Sequence, residues 1–140
     1  MNTEQVCDVI VTASEIKDED RLYVLPHYFG AFMMTVEASI FNCMGEISSD
    51  YKGGIWKFNV LSNGGFYMSP EFDGNMKISV EGNYFEGLLS PDAAGIVACL
   101  FTYSRMSFTP EASHIGQQFH LLREFALDHK EAAQIFSAID

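Results

Sequence analysis

Thr35, Ser39, Asn42 and Glu46 recur three or four residues apart, and Met33, Met34, Ile40, Phe41, Met44 and Ile47 fill the opposite side. That spacing predicts an amphipathic helix from about Phe32 to Ser48, stopped by Gly53 and Gly54. The period then changes to two. Trp56, Phe58 and Val60 alternate with Lys57 and Asn59, and Met76, Ile78 and Val80 alternate with Lys77, Ser79 and Glu81, as half-buried strands do. Phe66-Tyr67-Met68, with a stop at Pro70, and Tyr84 to Leu89 complete the region, with turn signals at Ser62-Asn63-Gly64-Gly65 and Gly82-Asn83. The connections are too short for helical crossovers, so the pattern predicts a four-stranded antiparallel meander over about 55–89.

From Ser90 the period returns to helical. Ser90 suits an N-cap, Pro91 the first turn and Asp92 the positive helix end. The run that follows is apolar nearly all round, which predicts a buried central helix. A third helix near Ser113 would bury Ile115, Phe119, Leu122 and Ala126, and a last one over about Lys130–Ile139 would bury Ala132, Ile135 and Phe136. Upstream, Val9-Ile10-Val11-Thr12 reads as an edge strand or arm, and Glu15 to Asp20 as an acidic loop. The order predicts an α+β fold: one compact domain over 1–140, with 1–20 as arm and acidic loop, and the meander packed with three to four helices.

The four glycines of Gly53-Gly54…Gly64-Gly65 invite comparison with a phosphate loop. A phosphate loop leads from strand into helix, usually with Lys-Ser/Thr, whereas Asn63-Gly64-Gly65 lies between two strands, where residues that tolerate positive φ make a turn. Charge narrows the choice further. Asp and Glu number 19 against 8 Lys and Arg, a net charge of −11. Such a surface repels phosphate backbones, so direct nucleic-acid binding is not expected; it leaves open a basic partner, in particular a protein that itself binds DNA. The acids are scattered, the densest group being Glu15 to Asp20. A duplex mimic needs about one charge per 1.7 Å of axis. Three cysteines (Cys7, Cys43, Cys99), without Cys-x-x-Cys or a signal peptide, predict reduced thiols in a cytosol. The apolar run Ala93–Phe101 is far short of the roughly 20 residues of a membrane span.

Candidate chemistry is sparse. His27, His114, His120 and His129 show no metal-site spacing, and neither His-Glu-x-x-His nor Gly-x-Ser-x-Gly occurs. His129 is placed to meet the negative end of the third helix. Glu37 stands out. It projects toward the apolar side of the first helix, where an unpaired carboxylate would cost several kcal/mol or stay protonated. Arg21 is the attractive bidentate partner; the alternative is that Glu37 reaches water. Trp56 falls on the core side of the meander. Tyr67, opposite Phe66 and Met68, is expected to join Lys57 and Asn59 in an exposed patch at the glycine-rich tip, a contact surface for a protein.

Four segments carry a family resemblance: "LPHYFGAFM" (25–33), "YKGGIWKFNVLSNGGFYMSP" (51–70), "GNYFEGLLSPDAAGIVACLF" (82–101) and the tail "HLLREFALDHKEAAQIFSAID" (120–140). Together they resemble the antirestriction proteins of the ArdB/KlcA family over roughly residues 21–140, departing from the family pattern at Pro91, at Lys130 and in the linker 105–114. The resemblance implies a compact mixed α/β domain in a bacterial cytoplasm, carried on a plasmid or other mobile element. It implies relief of type I restriction without catalysis or cofactor, through contact with the restriction–modification complex or an associated host protein. It also marks Arg21, Glu37 and Trp56, with the turn Asn63, Gly64, Gly65 and Phe66, as positions of structural or contact importance. The competing class is a small hydrolase or nuclease-like enzyme using Glu37 or a Cys–His pair, which needs titratable groups converging in a cleft. A regulatory binder of some other host protein is not separable from the leading reading by sequence.

Overall fold

The computed structural model describes residues 10–140, so the expectations for Cys7 and Val9 lie outside the described residues. In chain order the elements are β1 (Ala13–Glu15), α1 (Arg21–Phe29), α2 (Met33–Ile47), β2 (Trp56–Leu61), β3 (Phe66–Pro70), β4 (Met76–Val80), β5 (Phe85–Leu89), α3 (Pro91–Met106), α4 (Ile115–Leu127) and α5 (Ala132–Ile139). This is the expected α+β composition. The first strand lies slightly later than expected, at Ala13–Glu15, and the acids Asp18–Asp20 form a single 3-10 turn. α1 was not expected as a helix. It contains Pro26, which removes an N–H from the helix interior and masks the signal. Gly30, at φ +53, then turns the chain toward α2.

The meander is corrected. All four strands exist, but they belong to two sheets: β1-β2-β3 and β4-β5, each antiparallel. β2 and β3 form the expected hairpin, with Trp56 opposite Pro70 and Val60 opposite Phe66. Its turn is structural. Gly64 takes φ +94, and Leu61 N–H donates to Gly65 O at 2.9 Å. β4 does not continue the sheet, because α3 already occupies the outer edge of β3. Tyr103 Oη donates to Phe66 O at 2.6 Å, and Cys99 Sγ contacts Met68 N at 3.5 Å and Met68 O at 3.6 Å. Gly95 permits the approach: a Cβ there would lie 2.4 Å from Met68 O and 2.6 Å from Ser69 Cα. Gly95, Cys99 and Tyr103 are four residues apart and share one helix face. The strand's unpaired main-chain groups, which would otherwise recruit another strand, are met by helix side chains instead.

β3 is therefore buried along its whole length. On one face Phe66 packs between Tyr28 and Phe29 of α1 and Phe58 of β2, at centroid distances of 5.2, 5.7 and 5.7 Å. On the other face Tyr67 stacks on Phe125 of α4 at 5.6 Å. α3 is buried nearly throughout, from Ala93 to Tyr103, as expected. α2 ends at Ile47; the expected stop at Gly53 and Gly54 is corrected, those residues lying in the loop before β2.

Candidate functional site

An open cleft of ≈ 750 Å³ lies where β3 ends and α3 begins, with Lys57, Ser69, Glu71, Asp73, Asp92 and Lys130 on its walls. Beside it runs a chain of polar side chains. Tyr67 Oη donates to Asp92 Oδ1 at 2.7 Å, and His129 Nε2 meets Asp92 Oδ2 at 2.9 Å. His129 Nδ1 accepts from Glu131 N–H at 3.0 Å, which leaves Nε2 as the protonated nitrogen donating to Asp92. Glu131 in turn takes Ser90 N–H at 2.9 Å on Oε1 and the Ser90 hydroxyl on Oε2. The same hydroxyl caps α3 by accepting from Ala93 N–H.

These bonds fix the protonation states. Burial raises the Tyr67 phenol well above its ordinary value, and the hydrogen bond to Asp92 adds to the rise. Burial also opposes the Asp92 charge, but the hydrogen bonds from His129 and Tyr67, with His129 and Lys130 nearby, outweigh it and hold the carboxyl below its ordinary range. The group is a neutral phenol, an ionised aspartate and a histidine with both nitrogens engaged. The Ser90 hydroxyl donates to Glu131 and accepts from Ala93 N–H, so it is held in the cap of α3. The network works as a latch. It ties β3 through Tyr67, the start of α3 through Ser90 and Asp92, and the α4–α5 corner through His129 and Glu131.

The expected site residues are distributed differently from expectation. Trp56 is buried as anticipated, with Phe41 at 5.2 Å and Nε1 donating to Tyr51 Oη at 3.1 Å. The Arg21–Glu37 pair is corrected. The Arg21 guanidinium lies 4.0 Å over the Phe58 ring, and among the described residues the ion pairs are Arg105–Glu46 and His129–Asp92. Glu37 is half-buried. The buried stripe of α2 is Val36, Ile40, Cys43, Met44 and Ile47, which puts Glu37 about 80° round from its centre at 3.6 residues per turn. From that flank the carboxylate reaches water. Met34, read as apolar face, is 74 % exposed.

The exposed contact turn is corrected too. Gly65, Phe66 and Tyr67 are buried: α4 covers Gly65 and Tyr67 through Leu121 and Phe125, and α1 covers Phe66 on the opposite face. The Asn63 amide donates to Leu121 O and Glu124 Oε1 at 2.9 and 2.8 Å, and Gln118 Nε2 donates to Gly64 O at 3.3 Å. The turn anchors α4. The expected pairing of His129 with a helix end is replaced by its bond to Asp92. Burial pushes the Cys43 thiol up to about 11 and Cys99 up to about 12, and neither has a histidine partner among the described residues. Those residues contain no cluster of His, Cys, Asp and Glu suited to a metal ion, and no helix long and apolar enough to cross a membrane. Sequence reasoning found the cap Ser90-Pro91-Asp92 but missed its partners His129 and Glu131.

Comparison with known proteins gives consistent results. A family model described as "Antirestriction protein" matches residues 49–140. The chain is similar to two proteins of Escherichia coli called antirestriction protein KlcA. One is 46% identical over 137 residues, covering 93% of this chain and 94% of that protein; the other is 42% identical over 145 residues, covering 100% of both. A solved structure at 44% identity matches with a TM-score of 0.88 and covers 100% of each chain. It comes from work on KlcA and ArdB proteins, described as having a novel fold and antirestriction activity against type I DNA restriction systems in vivo but not in vitro.

Proposed function

The chain belongs to the antirestriction protein family, and from that premise we propose that it inhibits type I restriction–modification systems through a protein–protein surface and without catalysis. The observation that carries the reading is full-length similarity, at 44% identity and TM-score 0.88, to a protein with such activity in vivo. The saturated latch around Asp92 supports the non-catalytic part, since its hydroxyl, imidazole and carboxylates are spent on one another. That the similar protein acts in vivo but not in vitro favours a partner supplied by the cell: the restriction–modification complex in a particular state, or an associated host protein. The setting we propose is the cytoplasm of a bacterial host, with incoming mobile-element DNA as the beneficiary. Residues 1–140 form one functional unit in this reading, with Arg21, Glu37 and Trp56 supporting its integrity.

The test is plating efficiency of unmodified phage on cells that carry a type I system, with and without this chain. Expression raises plating toward that of modified phage if the reading is right. Equal restriction in both strains, with the protein present and folded, defeats it.

A further inference from the structure

Three further cavities cluster around β4–β5, and Ser79 lines all of them. Two of them, of ≈ 580 and ≈ 390 Å³, also share Glu46 and Ile47 at the end of α2. The β4–β5 register sets Lys77 opposite Leu88 and Ser79 opposite Glu86. Lys77 N–H donates to Asp50 Oδ2 at 2.8 Å rather than across the hairpin, so Lys77 and Leu88 are a non-hydrogen-bonded pair. Antiparallel ladders alternate, which turns the N–H and C=O of Ser79 to the same outer edge. Neither group meets a partner among the described residues. The outer edge of β3, by contrast, is closed by α3. The edge of β4 is thus a strand edge left open at the floor of a groove.

The groove has a sign and an end. Glu46, Glu81 and Glu86 stand on its rim, and the bases there are Lys77 and Arg105, the latter 4.0 Å from Glu46. At the hairpin tip Tyr84 is 94 % exposed and holds φ +56, the sole positive φ outside glycine among the described residues. An aromatic held in a costly conformation and left in water suits a site awaiting a contact.

We infer that the outer edge of β4 accepts an extended segment of a partner protein, adding a strand through the main chain of Ser79, and that this segment alternates basic and apolar side chains. The backbone edge supplies register, the glutamates select for Lys and Arg, and Tyr84 packs over one end. The inference rests on the antirestriction reading and names the surface it uses.

The test uses two labelled synthetic peptides, one alternating lysine with valine and one alternating glutamate with valine, read by fluorescence anisotropy and by amide exchange on the full chain. The basic peptide binds, slows exchange at Ser79 and loses at least tenfold in affinity on Ser79→Pro. The acidic peptide does not bind. Proline is tolerated at edge positions, but the double variant Glu81→Lys/Glu86→Lys repeats the test with the backbone untouched and also weakens binding at least tenfold. No binding of the basic peptide, equal binding of both, or binding unchanged by the charge reversal overturns the inference. So does a dimer of the parent chain that Ser79→Pro splits, which would make a second copy the occupant. Phage plating separates the two readings. If the charge-reversed protein still protects, the groove falls and antirestriction stands; if the parent never protects, antirestriction falls whatever the peptides do.

Discussion

Replacing Gly95 by alanine sets two effects against each other. In an exposed helix the change gains about 1 kcal/mol of propensity. Here the new Cβ would sit 2.4 Å from Met68 O and 2.6 Å from Ser69 Cα, both main-chain atoms of a strand buried on every side. An ordinary carbon–oxygen contact is at least about 3.3 Å, so α3 must retreat by roughly 1 Å. Overpacking of this kind costs about 1–3 kcal/mol. The retreat also stretches the Tyr103–Phe66 bond from 2.6 Å past hydrogen-bonding range, exposing a buried carbonyl to a cost of about 1–3 kcal/mol. Against the propensity gain, Gly95→Ala should lose about 1–5 kcal/mol. At about 2–4 °C per kcal/mol for a chain near this size, the melting temperature falls by roughly 2–20 °C. Gly45→Ala is the control. Gly45 is exposed within α2 with nothing within 4 Å of its added Cβ, so it should gain about 0.5–1 kcal/mol. Melting both variants by circular dichroism decides the matter. A rise for Gly95→Ala as large as for Gly45→Ala would refute the close approach of α3 to β3 and, with it, the reason for two sheets.

Two more expectations concern titration. Because the Asp92 carboxyl titrates below its ordinary range in the folded chain, it stabilises the fold fully above the unfolded aspartate value, about 3.9, and loses that contribution as pH falls through its lower folded value. Melting temperatures of parent and Asp92→Asn should therefore differ at neutral pH and converge in strong acid; a gap that is constant with pH would contradict the latch. With thiols at about 11 and about 12, Cys43 and Cys99 should resist iodoacetamide at pH 8 in the native protein and react after denaturation, as mass spectrometry of the alkylated peptides would report; rapid native labelling of either would contradict its burial.

The legible parts of the fold are those written in local periodicity. α2 and α3 start close to where spacing and caps put them, and the β2–β3 turn follows from Asn63-Gly64-Gly65. α1 was hidden by Pro26, and the two-sheet split by a connection, 71–75, of ordinary hairpin length. What separates the sheets is a helix lying on a strand edge. Its sequence trace, Gly95, Cys99 and Tyr103 at intervals of four, has meaning only once the edge is known. Glu37 went astray because Met34 was counted into the apolar face, which shifted the centre of the stripe toward Glu37. The latch was half visible. Ser90 and Asp92 advertise a helix start, but nothing near residues 129–131 says that they close on it from about forty positions away. Pairings this distant follow from packing, not from neighbours in the chain.

The placement of the acids bears on how the proposed inhibition works. Ten of them fall into three separate groups: Glu15 with Asp18–Asp20 near the first strand, Glu71, Asp73 and Asp92 at the large cleft, and Glu46, Glu81 and Glu86 at the β4 groove. Asp18–Asp20, in a 3-10 turn rising about 2 Å per residue, approach the duplex spacing of about 1.7 Å per charge, but for three residues only. The cleft group is interleaved with Lys57 and Lys130, and the groove group with Lys77 and Arg105. A polyanion mimic keeps one sign along a line; this surface breaks its line with bases at each of the two concave places. Mixed charge around an open strand edge discriminates among peptides better than it imitates a phosphate backbone. A net charge of −11 then acts as a general bias toward basic partners, while the choice of partner falls to the local arrangement of side chains and main chain.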